Sequence, residues 1–175
     1  RSGRALVVPI YSGMYSRLAP YPDFRSRAKV QLVIRWAQDL MRTMDYLETR
    51  EDIDADKIAY YGFSLGGTYA PVFTAIEQRF AASVLISGGT TYRVPEEHRP
   101  ANFAPHVTVP TLMIGGQNDP QAPIETYQRP LLELLGTPPE DKRLYVFDGA
   151  HAPTDWNATV REILAWLDRY LGPVQ

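Results

Sequence analysis

The chain contains no cysteine, which excludes disulfide bonds and cysteine-ligated metal or redox centres. This absence fits a reducing compartment, so the cytoplasm is the favoured location. No apolar stretch approaches the roughly 18 residues that a membrane-spanning helix needs. No segment has the pattern of a secretory signal peptide. We therefore expect no association with a membrane.

The sequence also lacks a strong excess of either charge, because it has 18 basic and 20 acidic residues. Without a basic excess, we expect no binding to nucleic acid. The three histidines are scattered, and no H-E-x-x-H motif is present, so we expect neither a metal nor another cofactor. A chain of 175 residues that is 45% hydrophobic suggests a single domain, residues 1–175, with a sizeable core.

Short apolar runs alternate along the chain with segments of helical periodicity. This alternation predicts an α/β fold, with a mostly parallel sheet covered by helices on both faces. The last helix begins near Asp155, with Thr154 as its expected N-cap. The predicted strands are 5–10, 57–61, 82–86, 111–114 and 144–147, and the predicted helices are 26–49, 65–78, 124–135 and about 155–171.

The segment Gly62–Gly66 matches the pattern G-x-S-x-G and lies directly between a predicted strand and a predicted helix. In that context the serine occupies a sharp turn that exposes its hydroxyl, so Ser64 is the candidate nucleophile. Small residues two positions before and two after it would let strand and helix approach closely. The backbone N–H of Leu65 would then point at a developing oxyanion. A glycine-rich turn that binds phosphate is the alternative, but no G-K-[ST] or G-x-G-x-x-G pattern accompanies it.

A serine nucleophile needs a base, and histidine is the usual one. His151 follows the last predicted strand, at the sheet edge where catalytic groups gather in open α/β sheets. His98 and His106 precede the fourth strand, where a surface or hydrogen-bonding role is expected instead. His151 is therefore the candidate base.

An acid is expected to orient the histidine. In α/β folds with a G-x-S-x-G turn, the serine, the acid and the histidine follow in that order along the chain, so the acid should come after the strand before the one that leads to His151. Asp119 lies there, directly after the fourth predicted strand. Asp148 and Asp155 are too close in sequence to His151 for an easy orienting contact. The alternative role for Asp119 is that of a turn residue before Pro120.

These segments resemble the α/β-hydrolase superfamily, and within it the dienelactone-hydrolase and prolyl-oligopeptidase-like group. The segments 54–59 and 62–67 are similar to that group's strand and nucleophile turn, and 109–116 is similar to its acid segment. Segments 45–50, 102–105, 135–139 and 167–174 look like hydrolase-like domains of bacterial proteins, some fused to serine/threonine kinases. The resemblance implies acyl hydrolysis without fixing a substrate.

The resemblance also implies that three strands of the family fold are missing ahead of the first predicted strand, 5–10. The loop after the third of them normally supplies a second oxyanion N–H. We expect an upstream segment of a longer polypeptide, or a partner, to complete the sheet and to give this donor. The alternative is that the loop at Tyr11 supplies it.

The leading hypothesis is a serine carboxylesterase acting on a small-molecule ester through Ser64, His151 and Asp119. A prolyl-oligopeptidase-like peptidase would use the same residues, but no propeller domain or pocket for a charged peptide amino terminus is visible. A regulatory or binding module that keeps the fold without turnover is the third hypothesis.

The loop 88–110 is too short for a large lid, which favours soluble, short-acyl esters as substrates. The candidate pocket walls are Tyr11, Tyr92 and Phe103.

Overall fold

The computed structural model describes residues 2–90 and 94–174, along which helices and strands alternate. A π-helical turn, Ile124–Gln128, leads into the fourth helix. The helices are α1 (Arg27–Glu48), α2 (Leu65–Ile76), α3 (Pro100–Phe103), α4 (Arg129–Leu134) and α5 (Trp156–Leu171), and the strands are β1 (Ala59–Phe63), β2 (Ala82–Ile86), β3 (Thr111–Gly116) and β4 (Lys142–Phe147).

The four strands form one parallel sheet in the order β1-β2-β3-β4. The register pairs Phe63 with Ile86, Ile86 with Ile114, and Gly116 with Phe147. β1 and β2 therefore end level with each other, and β3 and β4 end level with each other two residues further on. The segments that follow them meet at a single edge of the sheet, which is where ligands bind in open α/β folds.

Side chains alternate between two hydrophobic clusters, one on each face of the sheet. Leu85 and Met113 pack into the cluster formed with α1 and α2. Val84 and Leu112 pack into the cluster formed with α5. Every residue of β2 and β3 is buried, as expected for central strands covered by helices on both sides. The predicted α/β class is therefore confirmed.

The prediction of a buried strand over residues 5–10 is wrong. This segment pairs with none of the described strands, and the side chains of Leu6 and Val8 are 79% and 68% exposed. The physical reason is that an apolar run becomes a strand only where a neighbouring strand takes its hydrogen bonds. Instead, Arg4 anchors it by donating to Asp168 (2.6 Å) and to the carbonyl of Gly172 (2.7 Å).

The termini of the long helices follow from their capping residues. The helix predicted over 26–49 is α1, and the Ser26 hydroxyl accepts a hydrogen bond from the Lys29 N–H. The expected cap of α5 is wrong by one residue, since Asp155 accepts from the N–H of Ala158. The Thr154 hydroxyl instead donates to the Asp148 carbonyl. None of the described helices combines the length and apolarity needed to cross a membrane.

Candidate active site

Ser64 occupies the turn between β1 and α2 with φ 53° and ψ −107°, in the region that side-chain-bearing residues rarely adopt. Its backbone N–H donates to the carbonyl of Ile86 at 2.8 Å, which ties the turn to the neighbouring strand. Strained backbone of this kind persists only where its surroundings hold it. Because this turn directly follows β1, it places Ser64 at the carboxyl end of the sheet.

Close packing around this turn explains two of its glycines. A Cβ atom on Gly62 would lie 2.5 Å from the carbonyl carbon of Gly66, and one on Gly67 would lie 2.9 Å from the Ile86 carbonyl oxygen. A Cβ atom on Gly66 would meet only the Tyr60 hydroxyl, at 3.8 Å. The expected crowding therefore exists before the serine, but after it the crowded residue is Gly67 rather than Gly66.

Leu65 is the first residue of α2, and its side chain lines the pocket above Ser64. The first N–H groups of a helix have no carbonyl from a preceding turn to accept them. The first hydrogen bond that closes this helical turn is donated by the Thr68 N–H to the Ser64 carbonyl. The Leu65 N–H is thus unpaired within the helix and lies at its positive end.

The loop after β4 carries His151 and is fixed by its neighbours. The Ser87 hydroxyl, at the end of β2, donates to the His151 carbonyl at 2.6 Å. The Asn118 N–H donates to the Gly149 carbonyl at 2.9 Å. A Cβ atom on Gly116 would collide with the carbonyl of Ala150, so only glycine lets this loop lie against β3. The histidine backbone is therefore held by β2 and β3 together.

Ser64, His151 and Asp119 lie in one hydrogen-bonded line. The His151 Nε2 atom is 2.7 Å from the Ser64 Oγ, and its Nδ1 atom is 2.8 Å from the Asp119 Oδ2. The tautomer with hydrogen on Nδ1 donates to the carboxylate and leaves Nε2 free to accept the serine proton. The aromatic ring of Phe63 lies beside the imidazole, with centroids 5.6 Å apart.

The carboxylate of Asp119 is fully buried, and its charge is compensated by hydrogen bonds. Its Oδ1 atom accepts from the N–H groups of Gln121 (2.8 Å) and Ala122 (3.1 Å). The turn role and the orienting role that the sequence offered for Asp119 are therefore compatible. One oxygen organises the turn, and the other faces His151.

An open pocket of about 560 Å³ lies above Ser64 and His151. Apolar and aromatic side chains form much of its wall, and the charged residues Asp23 and Arg25 also line it. Its lining residues are Asp23, Phe24, Arg25, Ser64, Leu65, Thr68, Tyr69, Ser87, Val94, Gln121, Ala122 and His151. A cavity of this size and lining suits a small molecule with an apolar group.

The structure does not bring Tyr11 to this pocket, so the expectation of an oxyanion donor there is corrected. Tyr11 packs against the core next to α1, where burial and the nearby Asp39 raise its pKa to about 12. The neighbouring Ser12 N–H already donates to Asp39 at 2.9 Å. Phe103 likewise packs on that core, and Tyr92 lies outside the described residues.

Several pocket residues were missed from the sequence because no local motif marks them. Phe24 and Tyr69 form its aromatic wall, and Ser87 reaches the His151 backbone from a separate strand. The single available signal for Ser87 is its position directly after a parallel strand, at the same edge as the nucleophile. A surface or hydrogen-bonding role was expected for His98. Its side chain is buried, and its Nδ1 atom lies 3.3 Å from the Tyr69 hydroxyl.

Comparison with known proteins gives the same fold and a family. Residues 16–173 match the PET hydrolase-like family. Cutinase est2 of Thermobifida alba is 29% identical over 153 residues, which cover 86% of this chain and 46% of the cutinase. Cutinase est1 of the same organism is 27% identical and is covered to 47%. The chain thus spans about half the length of the curated relatives it matches.

Solved structures extend the likeness of fold. A Thermus thermophilus protein superposes with a TM-score of 0.72 at 21% identity. The superposition covers 94% of this chain and 76% of the Thermus thermophilus protein. A cold-adapted esterase from an Arctic intertidal metagenomic library has a TM-score of 0.66 at 20% identity. That superposition covers 85% of this chain and 66% of the esterase. Taken with the family match over 16–173, this places the chain in the PET hydrolase-like family of α/β hydrolases.

Proposed function

We propose that this chain hydrolyses carboxylic esters through an acyl-enzyme intermediate on Ser64. The observation that carries the proposal is the line from Asp119 through His151 to Ser64, at the floor of a pocket open to small molecules. The family membership and the cutinase relatives support the same reaction class.

In this mechanism the Ser64 Oγ attacks the ester carbonyl carbon while the His151 Nε2 accepts its proton. Asp119 holds the imidazole in the required tautomer and stabilises the imidazolium that forms. The Leu65 N–H donates to the carbonyl oxygen as it becomes negative. His151 then protonates the departing alcohol, and a water molecule deprotonated by His151 releases the acid from Ser64.

The pocket favours esters with a small or medium apolar group. Phe24, Tyr69, Val94 and Ala122 supply the apolar part of its lining. The 560 Å³ of space accommodates a compact substrate, so short-acyl esters are the proposed class.

A fluorophosphonate probe, followed by a panel of p-nitrophenyl esters of increasing acyl length, tests this function. We expect the probe to label Ser64 and hydrolysis to be fastest with short acyl groups. A Ser64→Ala variant is the labelling control. If the probe leaves Ser64 unmodified and no ester is cleaved, the regulatory or binding reading replaces the enzyme.

Replacing Ser87 with alanine should lower kcat roughly tenfold with little change in KM. The hydroxyl fixes the His151 carbonyl, and a shift of 1 Å in a catalytic group costs about 10²-fold. Ser83→Ala is the matched control, because this buried serine of the same strand bonds to Thr111 instead. Steady-state kinetics and thermal melts of both variants make the comparison. Equal effects on kcat would contradict a positioning role for Ser87.

We further propose that an upstream segment of a longer polypeptide completes the sheet and supplies the second oxyanion donor. Among the described strands, β1 is hydrogen-bonded on one side only, to β2. Tyr61 and Phe63 project from one face of β1 and are 47% and 39% exposed. An unpaired edge beside an apolar face favours pairing with another strand.

An upstream-extended chain should exceed residues 1–175 in kcat/KM by about 10²–10³, the effect of one oxyanion donor. The shorter chain should associate in a concentration-dependent way, as measured by sedimentation. Tyr61→Lys should reduce this association, whereas Ile76→Lys, at a comparably exposed apolar site on α2, should not. A short chain that is monomeric and equally fast would refute the missing segment.

A further inference from the structure

Lys29 is a fully buried lysine enclosed by four aromatic rings. Its Nζ atom lies 4.1 Å from the ring centroid of Tyr21, 4.2 Å from that of Trp36, 4.8 Å from that of Phe24 and 5.5 Å from that of Tyr69. Each distance is within the range at which a cation is attracted to a ring face. We call these four rings the aromatic cage.

The ammonium group forms no ion pair with a carboxylate in the part of the chain that the structure describes. Among residues 2–90 and 94–174, its one polar partner is the Tyr21 hydroxyl, to which Nζ donates. Burying a cation without a counter-ion is unfavourable, and burial lowers the pKa of Lys29 to about 8. An apolar side chain would fill this volume at a lower cost, so simple core packing does not account for a lysine here.

The cage and the substrate pocket share two side chains. Phe24 and Tyr69 line the pocket above Ser64 and also enclose the Lys29 ammonium. Tyr69 belongs to the rigid helix α2, but Phe24 lies on the irregular segment before α1. Phe24 is 46% exposed. Its described ring contact is with Tyr21, at 5.8 Å between centroids, and Tyr21 is bonded to Lys29.

We propose that Lys29 is a positioning residue that holds the segment carrying Tyr21 and Phe24 in place as a wall of the ester pocket. It acts through the rings and touches no substrate, and the role in substrate binding rests on the proposed ester-hydrolase function. Esters with a bulky apolar group, which contact Phe24, depend on this wall. Acetate esters, which are too small to reach it, do not.

The cage itself is tested without any assay of activity. The chain has three lysines, Lys29, Lys57 and Lys142, so ¹³Cε-lysine labelling gives three NMR signals. Ring currents should shift the Lys29 methylene protons strongly upfield of the other two. The Lys29 signal should also titrate below the ordinary pH range of lysine, because burial lowers its pKa. The ionisable groups that face Lys29 are Tyr21, Tyr69 and His98. Three coincident signals would overturn the cage.

Kinetics then test the wall. Lys29→Met keeps the side-chain volume and removes the cation, so KM for hexanoate esters should rise about three- to tenfold. KM for acetate esters, and kcat for hexanoate and acetate esters alike, should change less than twofold. Lys57→Met, which alters an exposed lysine paired with Asp54, is the matched control. A parallel fall in kcat for all esters together with a lower melting temperature would mean that Lys29 is merely structural.

Tyr21→Phe preserves the ring and removes the hydroxyl that accepts from Lys29, so it should raise the same KM even if Lys29→Met fails to fold. The Kd of a hexanoate ester is also compared for the Ser64→Ala variant and the Ser64→Ala/Lys29→Met double variant. Neither variant should cleave the ester, so the Kd reports binding in the pocket that Phe24 lines. If wild type cleaves no ester, the proposed function fails, but a weaker Kd in the double variant still supports Lys29. An unchanged Kd refutes it.

Discussion

Replacing Ser64 with alanine should remove essentially all of the proposed ester hydrolysis while the fold persists. Loss of the nucleophile from such a triad lowers turnover on the order of 10⁶-fold. The fold should survive, because the N–H of residue 64 still donates to Ile86 and the Cβ atom keeps its place. The left-handed φ of 53° is already accommodated by a side-chain-bearing residue.

The measurement compares kcat on a short-acyl p-nitrophenyl ester with circular dichroism of the same preparations. Contaminating host esterases are excluded by titrating active sites with the fluorophosphonate probe, which should modify the wild type stoichiometrically and the variant not at all. Ser83→Ala removes a buried hydroxyl elsewhere in the sheet and should retain turnover. Activity of the Ser64→Ala variant within tenfold of wild type would remove Ser64 from the mechanism.

The sharp turn at Ser64 and the alternation of strands with helices could be predicted because their signals are local. The glycines around Ser64 stand between an apolar run and a helical period, and both belong to adjacent segments of the chain. Asp119 and His151 were predicted from their positions after successive strands and from the Ser, acid, His order of this fold. Because parallel strands end at the same edge of the sheet, residues that follow them converge there, and the structure brings these two within 2.8 Å.

The features that were missed depend on distant parts of the chain. The apolar run at 5–10 has the composition of a strand, but strand formation depends on a neighbour that composition does not reveal. Lys29 lies on the buried side of α1, and no local rule places a lysine among rings from three separate segments. Contact between Ser87 and the His151 backbone likewise joins residues 64 positions apart.

Replacing Asp119 with asparagine should lower turnover by about 10⁴, through the wrong histidine tautomer. The Oδ1 position accepts from two backbone N–H groups, Gln121 and Ala122, so the amide oxygen must occupy it. The amide NH₂ then faces the His151 Nδ1 atom and donates to it. Hydrogen moves to Nε2, which can no longer accept the proton of Ser64.

The matched control for this substitution is Asp148→Asn. Asp148 is exposed at the end of β4, and its described hydrogen bond uses the backbone carbonyl rather than the carboxylate. Its substitution should leave kcat within twofold of wild type. Steady-state kinetics of the two variants, with the extent of fluorophosphonate labelling, separate the roles. A neutral Asp119→Asn together with a damaging Asp148→Asn would mean that Asp148 is the acid, since only the carboxylate that holds the Nδ1 hydrogen controls the base.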